Sequence, residues 1–202
     1  MRRRHSEVTD PAKIEAILAS ATIGRLATVG ADGYPYITPV NFVYYKGNIY
    51  FHCAPEGEKL DNIARDPKVC FQVDTPLAYL DRGYSLSRNS SSVCGLHQFY
   101  HCVIIRGEAR DVPDGSLKIE ALNELIAKHE QHHDFEKVHG DLPAYRACKV
   151  IEIRPEKISA KSELHQKKSA EERLAMAKYL KAARSSKYVE TIQAFGFDPE
   201  DL

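Results

Sequence analysis

Ile23-Gly24-Arg25-Leu26-Ala27-Thr28-Val29 is a short apolar run, and the chain repeats its texture twice more before Ala54. Tyr34 to Tyr45 is rich in β-branched and aromatic residues, and Ile49 to Cys53 follows it. Ala31-Asp32-Gly33 and Lys46-Gly47-Asn48 separate the three runs, and both are turn signals. Strands joined by turns this short predict an antiparallel meander.

Outward from this core, Asp10 can cap a helix that Pro11 opens, with Ile14, Ile17 and Leu18 on one stripe to about Ser20. Downstream, Glu56 to Arg65 reads as a short helix carrying Leu60 and Ile63, and Val69 to Val73 as a fourth strand. Thr75 to Leu96 reads as irregular, with a polar loop at Ser85, Ser87 and Ser90 to Ser92. His97 to Val112 is a long strand that Gly107 is expected to bend or bulge. Ser116 to His129 is an amphipathic helix, Cys148 to Ile153 the last strand, and the tail from Ser169 is helical, with Leu174, Met176, Tyr179 and Leu180 along it. About six strands with few helices between them define a mainly β class: an antiparallel barrel with peripheral helices, not a doubly wound sheet.

The 202 residues include 28 basic and 28 acidic side chains, so no net charge draws the chain toward nucleic acid or an anionic membrane. No apolar run is long enough to span a bilayer, and the basic start Arg2-Arg3-Arg4 is not followed by a signal-type apolar stretch. Those arginines also lack interleaved aromatics, so they read as a surface arm. Cys53, Cys70, Cys94, Cys102 and Cys148 are odd in number and contain no Cys-x-x-Cys, which excludes a disulfide framework and a cysteine zinc site. Reduced thiols in the cytoplasm are the expectation.

Chemistry concentrates in Tyr50-Phe51-His52-Cys53-Ala54-Pro55-Glu56-Gly57-Glu58-Lys59-Leu60-Asp61. A strand runs through a glycine turn into a helix whose first amides and positive dipole end can hold a phosphate, with Lys59 beside them. Period two places Phe51 and Cys53 on one face, Tyr50 and His52 on the other. Alone, the same residues describe an ordinary strand-to-helix corner with a solvated lysine.

The ordered set of motifs says more. Gly24 to Val29, Asp32-Gly33-Tyr34-Pro35-Tyr36-Ile37-Thr38-Pro39-Val40-Asn41-Phe42, the His52 corner, Asp66-Pro67-Lys68-Val69-Cys70-Phe71, Tyr100 to Ala109 and Val150 to Ile153 resemble, in order, the FMN-binding split-barrel family related to pyridoxamine 5'-phosphate oxidase. The nitroimidazole-reductase-like branch fits best. The resemblance spans roughly Arg3 to Ser162; a split-barrel domain at residues 1–166 and a C-terminal helical extension at 167–202 are expected. It implies that Thr38, Pro39, Val40 and Asn41 border the flavin ring, that Phe51 and His52 lie over the ribityl chain and ring edge, and that Lys59, with the Gly57 and Glu58 amides, binds the phosphate. Arg25 is implied as a second phosphate ligand, and Cys102 as a residue reaching the flavin from the partner subunit of a homodimer. His52 is implied as the catalytic residue, an imidazole able to protonate a reduced substrate; a ring that only stacks or hydrogen-bonds there is the other reading.

The implied function is an FMN-dependent oxidoreductase. It would reduce a small molecule, a nitroaromatic such as a 5-nitroimidazole, with NADH or NADPH as donor. The chain has no tryptophan and lacks the substrate signature of true pyridoxamine phosphate oxidases, so vitamin oxidation is not expected. The serine-rich segment from Thr75 to Leu96 is expected over the substrate side of the flavin. Two alternatives stand beside this reading: a non-catalytic flavin-binding module, and a haem or metal site drawing on His129-Glu130-Gln131-His132-His133, His139, His97 and His101. The histidines of the first group lack a matching carboxylate pattern and read as a solvated helix end, so no metal is expected.

Overall fold

A computed structural model of the chain describes residues 4–90 and 95–202. Arg2 and Arg3 of the basic arm, Ser91 and Ser92 of the serine loop, and Cys94 lie outside the described residues.

The elements run β1 (Glu7–Val8), α1 (Pro11–Ser20), β2 (Ile23–Val29), β3 (Pro35–Asn41), β4 (Val43–Tyr45), β5 (Asn48–Cys53), α2 (Glu58–Arg65) and β6 (Lys68–Leu80). They continue α3 (Arg82–Ser87), β7 (His97–Asp111), α4 (Ser116–His129), α5 (Pro143–Ala147), β8 (Lys149–Glu163), α6 (Ala170–Ala182) and α7 (Tyr188–Phe195). The strands form one eight-stranded sheet in the order β3-β2-β6-β7-β8-β5-β4, with β1 paired to β8. The β2–β3, β2–β6, β4–β5, β5–β8 and β1–β8 ladders are all antiparallel. The fold is the expected mainly β barrel type with peripheral helices. Asp10 caps α1 by accepting from the Ala12 amide at 3.0 Å.

Four expectations change. The sheet has eight strands where about six were expected, and the first runs do not make a simple meander. The run from Tyr34 to Tyr45 breaks at fully buried Phe42, so β3 pairs with β2 while β4 pairs with β5, at opposite ends of the strand order. Phe42 is held there edge-on to Phe71, with ring centroids 5.0 Å apart. Thr75 to Leu96 is not irregular throughout: β6 continues to Leu80, and α3 follows under an Asp81 cap that accepts from the Gly83 amide. Likewise β8 runs to Glu163, ten residues past Ile153. Pro76 in β6, and Arg154-Pro155-Glu156-Lys157 in β8, disguise strands that tertiary pairing carries through. Gly107 lies where β7 comes close to β8: a Cβ there would sit 1.9 Å from the Arg154 carbonyl oxygen.

The chain divides into two compact units, residues 9–73 with 103–159, and residues 1–8 with 74–102 and 160–202. In the first, α4 covers β4 and β5, burying Leu122 and Leu125 with Val43, Tyr50 and Val150. In the second, α6 and α7 bury Met176, Leu180, Ile192 and Phe195 against Leu77, Leu80, Tyr84 and Phe99. Ser169 and Glu172 close a reciprocal capping box at the start of α6.

Candidate functional site

The β2–β3 ladder sets Arg25 opposite Pro39, Leu26 opposite Thr38 and Gly24 opposite Val40. Alternation leaves Arg25, Pro39 and Asn41 exposed on one face, with Thr38 and Val40 half-buried on the other. On β5, His52 is exposed and pairs with Val150, while Phe51 is only 1% exposed and Tyr50 2%. The side chain of Phe51 therefore belongs to the core. Tyr50 departs from the simple period-two expectation because α4 buries it.

Asn41 and His52 line one cavity of about 460 Å³. Its walls are apolar: Leu122, Leu125 and Ile126 of α4, then Val138, Leu142 and Tyr145 beyond it. His129, the last residue of α4, lines it too. That corrects the expectation of a purely solvated histidine-rich helix end. The Nε2 atom of His129 is buried without a hydrogen-bond partner. Burial, helped by the Lys128 and His52 charges, pushes its pKa below the ordinary histidine value. His132, His133 and His139 do remain exposed. Beside His129, the Lys128 ammonium sits 3.6 Å from the Phe42 ring centroid and donates to the Leu18 carbonyl, and burial lowers its pKa to about 8.

The β5–α2 corner fits a phosphate. Gly57 has φ +135°, a conformation other residues rarely adopt, and no side chain caps the first turn of α2. Lys59 is half-buried there, and among the described residues no carboxylate pairs with it. Its charge reaches back along the corner: burial raises the Cys53 thiol pKa, and Lys59 opposes that rise. The Glu58 side chain is exposed and acidic, so only its amide suits an anion. Asn62 donates to Thr28 Oγ1 at 3.0 Å, and Arg65 donates to the Val29 carbonyl, fixing α2 on β2. Cys102 belongs to the other compact unit; it is half-buried, and burial raises its pKa.

Sequence reasoning missed two polar clusters. The carboxylate of Glu152, 2% exposed, accepts from Tyr50 Oη at 2.7 Å, Asn48 Nδ2 at 3.0 Å, Arg154 Nε at 3.0 Å, and Arg110. A lone carboxylate inside Val150-Ile151-Glu152-Ile153 was the available signal. In the second unit, His97, Glu163 and His165 bring ligand-type atoms within 4.8 Å of one another, the only such group found among the described residues. His97 and His165 stack at 4.0 Å, and Glu163 accepts from Lys161 at 2.8 Å and Ser6 at 3.2 Å. The cluster is thus already charge-balanced from within.

The same architecture recurs among solved structures. A candidate 5-nitroimidazole antibiotic resistance protein from Bacteroides thetaiotaomicron superposes with TM-score 0.64 at 22% identity, over 77% of this chain and 86% of that one. An FAD and heme binding protein from Mycobacterium smegmatis gives 0.66 at 15%, over 84% and 79%. A flavocytochrome from Azotobacter vinelandii gives 0.64 at 18%, over 81% and 72%. At these identities the likeness defines the fold class, the split barrel. The family model for pyridoxamine 5'-phosphate oxidase matches residues 10–162, and the chain belongs to that family. No curated protein sequence matches it.

Proposed function

We propose that the chain is an FMN-dependent oxidoreductase, a homodimer working in the cytoplasm, that passes electrons from NADH or NADPH to a small acceptor of the nitroaromatic class, such as a 5-nitroimidazole. The observation that carries this reading is the meeting of Asn41 and His52 on one apolar cavity, with His52 on the strand that leads into a phosphate-compatible corner at Lys59. When bound, FMN supplies hydride and single-electron transfer. Lys59 and the first amides of α2 hold its phosphate, with Arg25 as a second cation. Thr38, Pro39, Val40 and Asn41 border the ring, the apolar walls exclude water, and His52 hands a proton to the reduced acceptor. Support for a second copy comes from the exposed β2–β3 surface, where Ile23 is 48%, Val29 47%, Tyr34 74% and Ile37 62% exposed. Across such an interface Cys102 of one subunit would serve the site of the other.

The test is spectroscopic. FMN is added to purified, untagged protein, unbound cofactor is removed, and NADH and then a 5-nitroimidazole follow without oxygen. Retained flavin bands that bleach with NADH and return with the nitro compound are expected. Protein that retains no FMN overturns the reading, and a Soret band in place of flavin would assign haem to the fold.

A further inference from the structure

We infer that the cavity between α3 and α6 is a binding site for a small organic monoanion, a carboxylate on a flat apolar body, and that Arg88 is the residue that selects for the charge. The site shares no residue with the cavity at His52 and goes beyond the proposed function. Lys168, Glu172 and Met176 on its wall lie past residues 10–162, which the family model matches, so the C-terminal helices build this side of it.

Three observations converge. The cavity, about 410 Å³, has the size of a small-ligand pocket, and buried Leu80, Tyr84 and Met176 line it. Such a wall rewards burial of an apolar body but gives it no orientation. The second observation is that the other charges on the wall cancel. Lys168 Nζ lies 2.8 Å from Glu172 Oε1, and the Ser169 amide donates to Glu172 Oε2 at 3.0 Å. Glu172 is the only carboxylate among the described lining residues, and both its oxygens are committed. Burial lowers the His165 pKa below the ordinary histidine value, so that ring adds no charge near neutral pH. The third is Arg88. Its guanidinium lies over the Tyr84 ring, with Cζ 5.6 Å from the centroid, and Nη1 donates to Tyr84 Oη at 3.5 Å. Among the described residues no carboxylate pairs with it. The wall therefore carries one positive charge in excess, held beside its apolar part on a lining aromatic ring. A guanidinium fork matches a carboxylate, which completes the charge while the body covers Leu80 and Met176.

2-Naphthoate and 2-naphthamide share one flat body and differ in charge. The chain has no tryptophan, so naphthalene fluorescence, excited beyond tyrosine absorption, reports on the ligand without a protein background. Titrated into the full-length protein at neutral pH without FMN, naphthoate is expected to bind at least about tenfold more tightly than naphthamide. Arg88 is exposed, so Arg88→Gln should fold; it should erase that ratio while still binding both ligands. Arg82→Gln, on the same helix but outside the cavity lining, should keep the ratio, and so should Lys59→Ala in the β5–α2 corner. Equal affinities in the parent protein, or discrimination that survives Arg88→Gln, would overturn the role of Arg88. A ratio lost in Arg82→Gln would trace it to diffuse surface charge, and one lost in Lys59→Ala would move the naphthoate to that corner; either result overturns the site. No binding of either ligand overturns it as well. Because FMN is omitted, these outcomes are separate from retention of FMN: a protein that binds flavin and neither naphthalene refutes this inference alone.

Discussion

Two groups of imidazoles occupy the two compact units, and they differ in what surrounds them. His129 and His52 border an apolar cavity. His97 and His165 stack on each other beside a carboxylate that Lys161 and Ser6 already engage. His165 also borders a cavity, of about 410 Å³, but Arg88 and the mutually paired Lys168 and Glu172 line that one. Residue type alone does not separate a binding site from internal bracing. The separation lies in the surroundings: apolar walls border one pair, and a carboxylate that already has its own cation borders the other.

The largest effect expected on this contrast is at Glu163. Glu163→Ala strips Lys161 of its buried partner and should lower stability by about 3 kcal/mol in urea unfolding while leaving FMN binding intact. A loss below about 1 kcal/mol would mean that ring stacking, rather than charge, braces the cluster. Next is His52→Ala, expected to slow nitro-compound reduction about a hundredfold with little change in FMN affinity; His165→Asn should leave that rate alone. Equal losses from both would dissolve the contrast. Lys59→Ala should weaken FMN binding by about 1.5–3 kcal/mol, read by fluorescence titration, since a phosphate would lose its charge-assisted contact. Unchanged affinity would move the phosphate away from α2.

These predictions also mark what could be read from the sequence. Local signals were complete for α1, α4 and the β5–α2 corner: Asp10 before Pro11, an amphipathic repeat ending at His129, and Gly57 ahead of Lys59. The split of one apolar run into β3 and β4 was not legible, because Phe42 differs from its neighbours only in its buried contacts, above all with Phe71. The long halves of β6 and β8 were hidden by polar and proline residues, which pairing with distant strands overrides. At the site, Asn41 and His52 could be named, whereas His129 was set aside. Its neighbours His132 and His133 are solvated, and nothing in the order of residues tells that the helix's last turn closes over a cavity formed partly by residues 138–148.

The smallest effect tests both imidazole groups at once, through pH. Burial lowers the pKa of His101, His129 and His165 below the ordinary value of 6.5. Near and below 6.5 the unfolded chain takes up protons that these folded rings refuse, so the unfolded state binds more protons and stability falls as pH falls. The decline should begin just above that value and flatten once pH passes below the folded pKa values. Each ring has its own electrostatic company: Lys128, Glu130 and His52 around His129, and Glu163, Lys168 and Glu172 around His165. His165→Asn, which tolerates the left-handed backbone at φ +54°, and His129→Phe should each remove part of the slope.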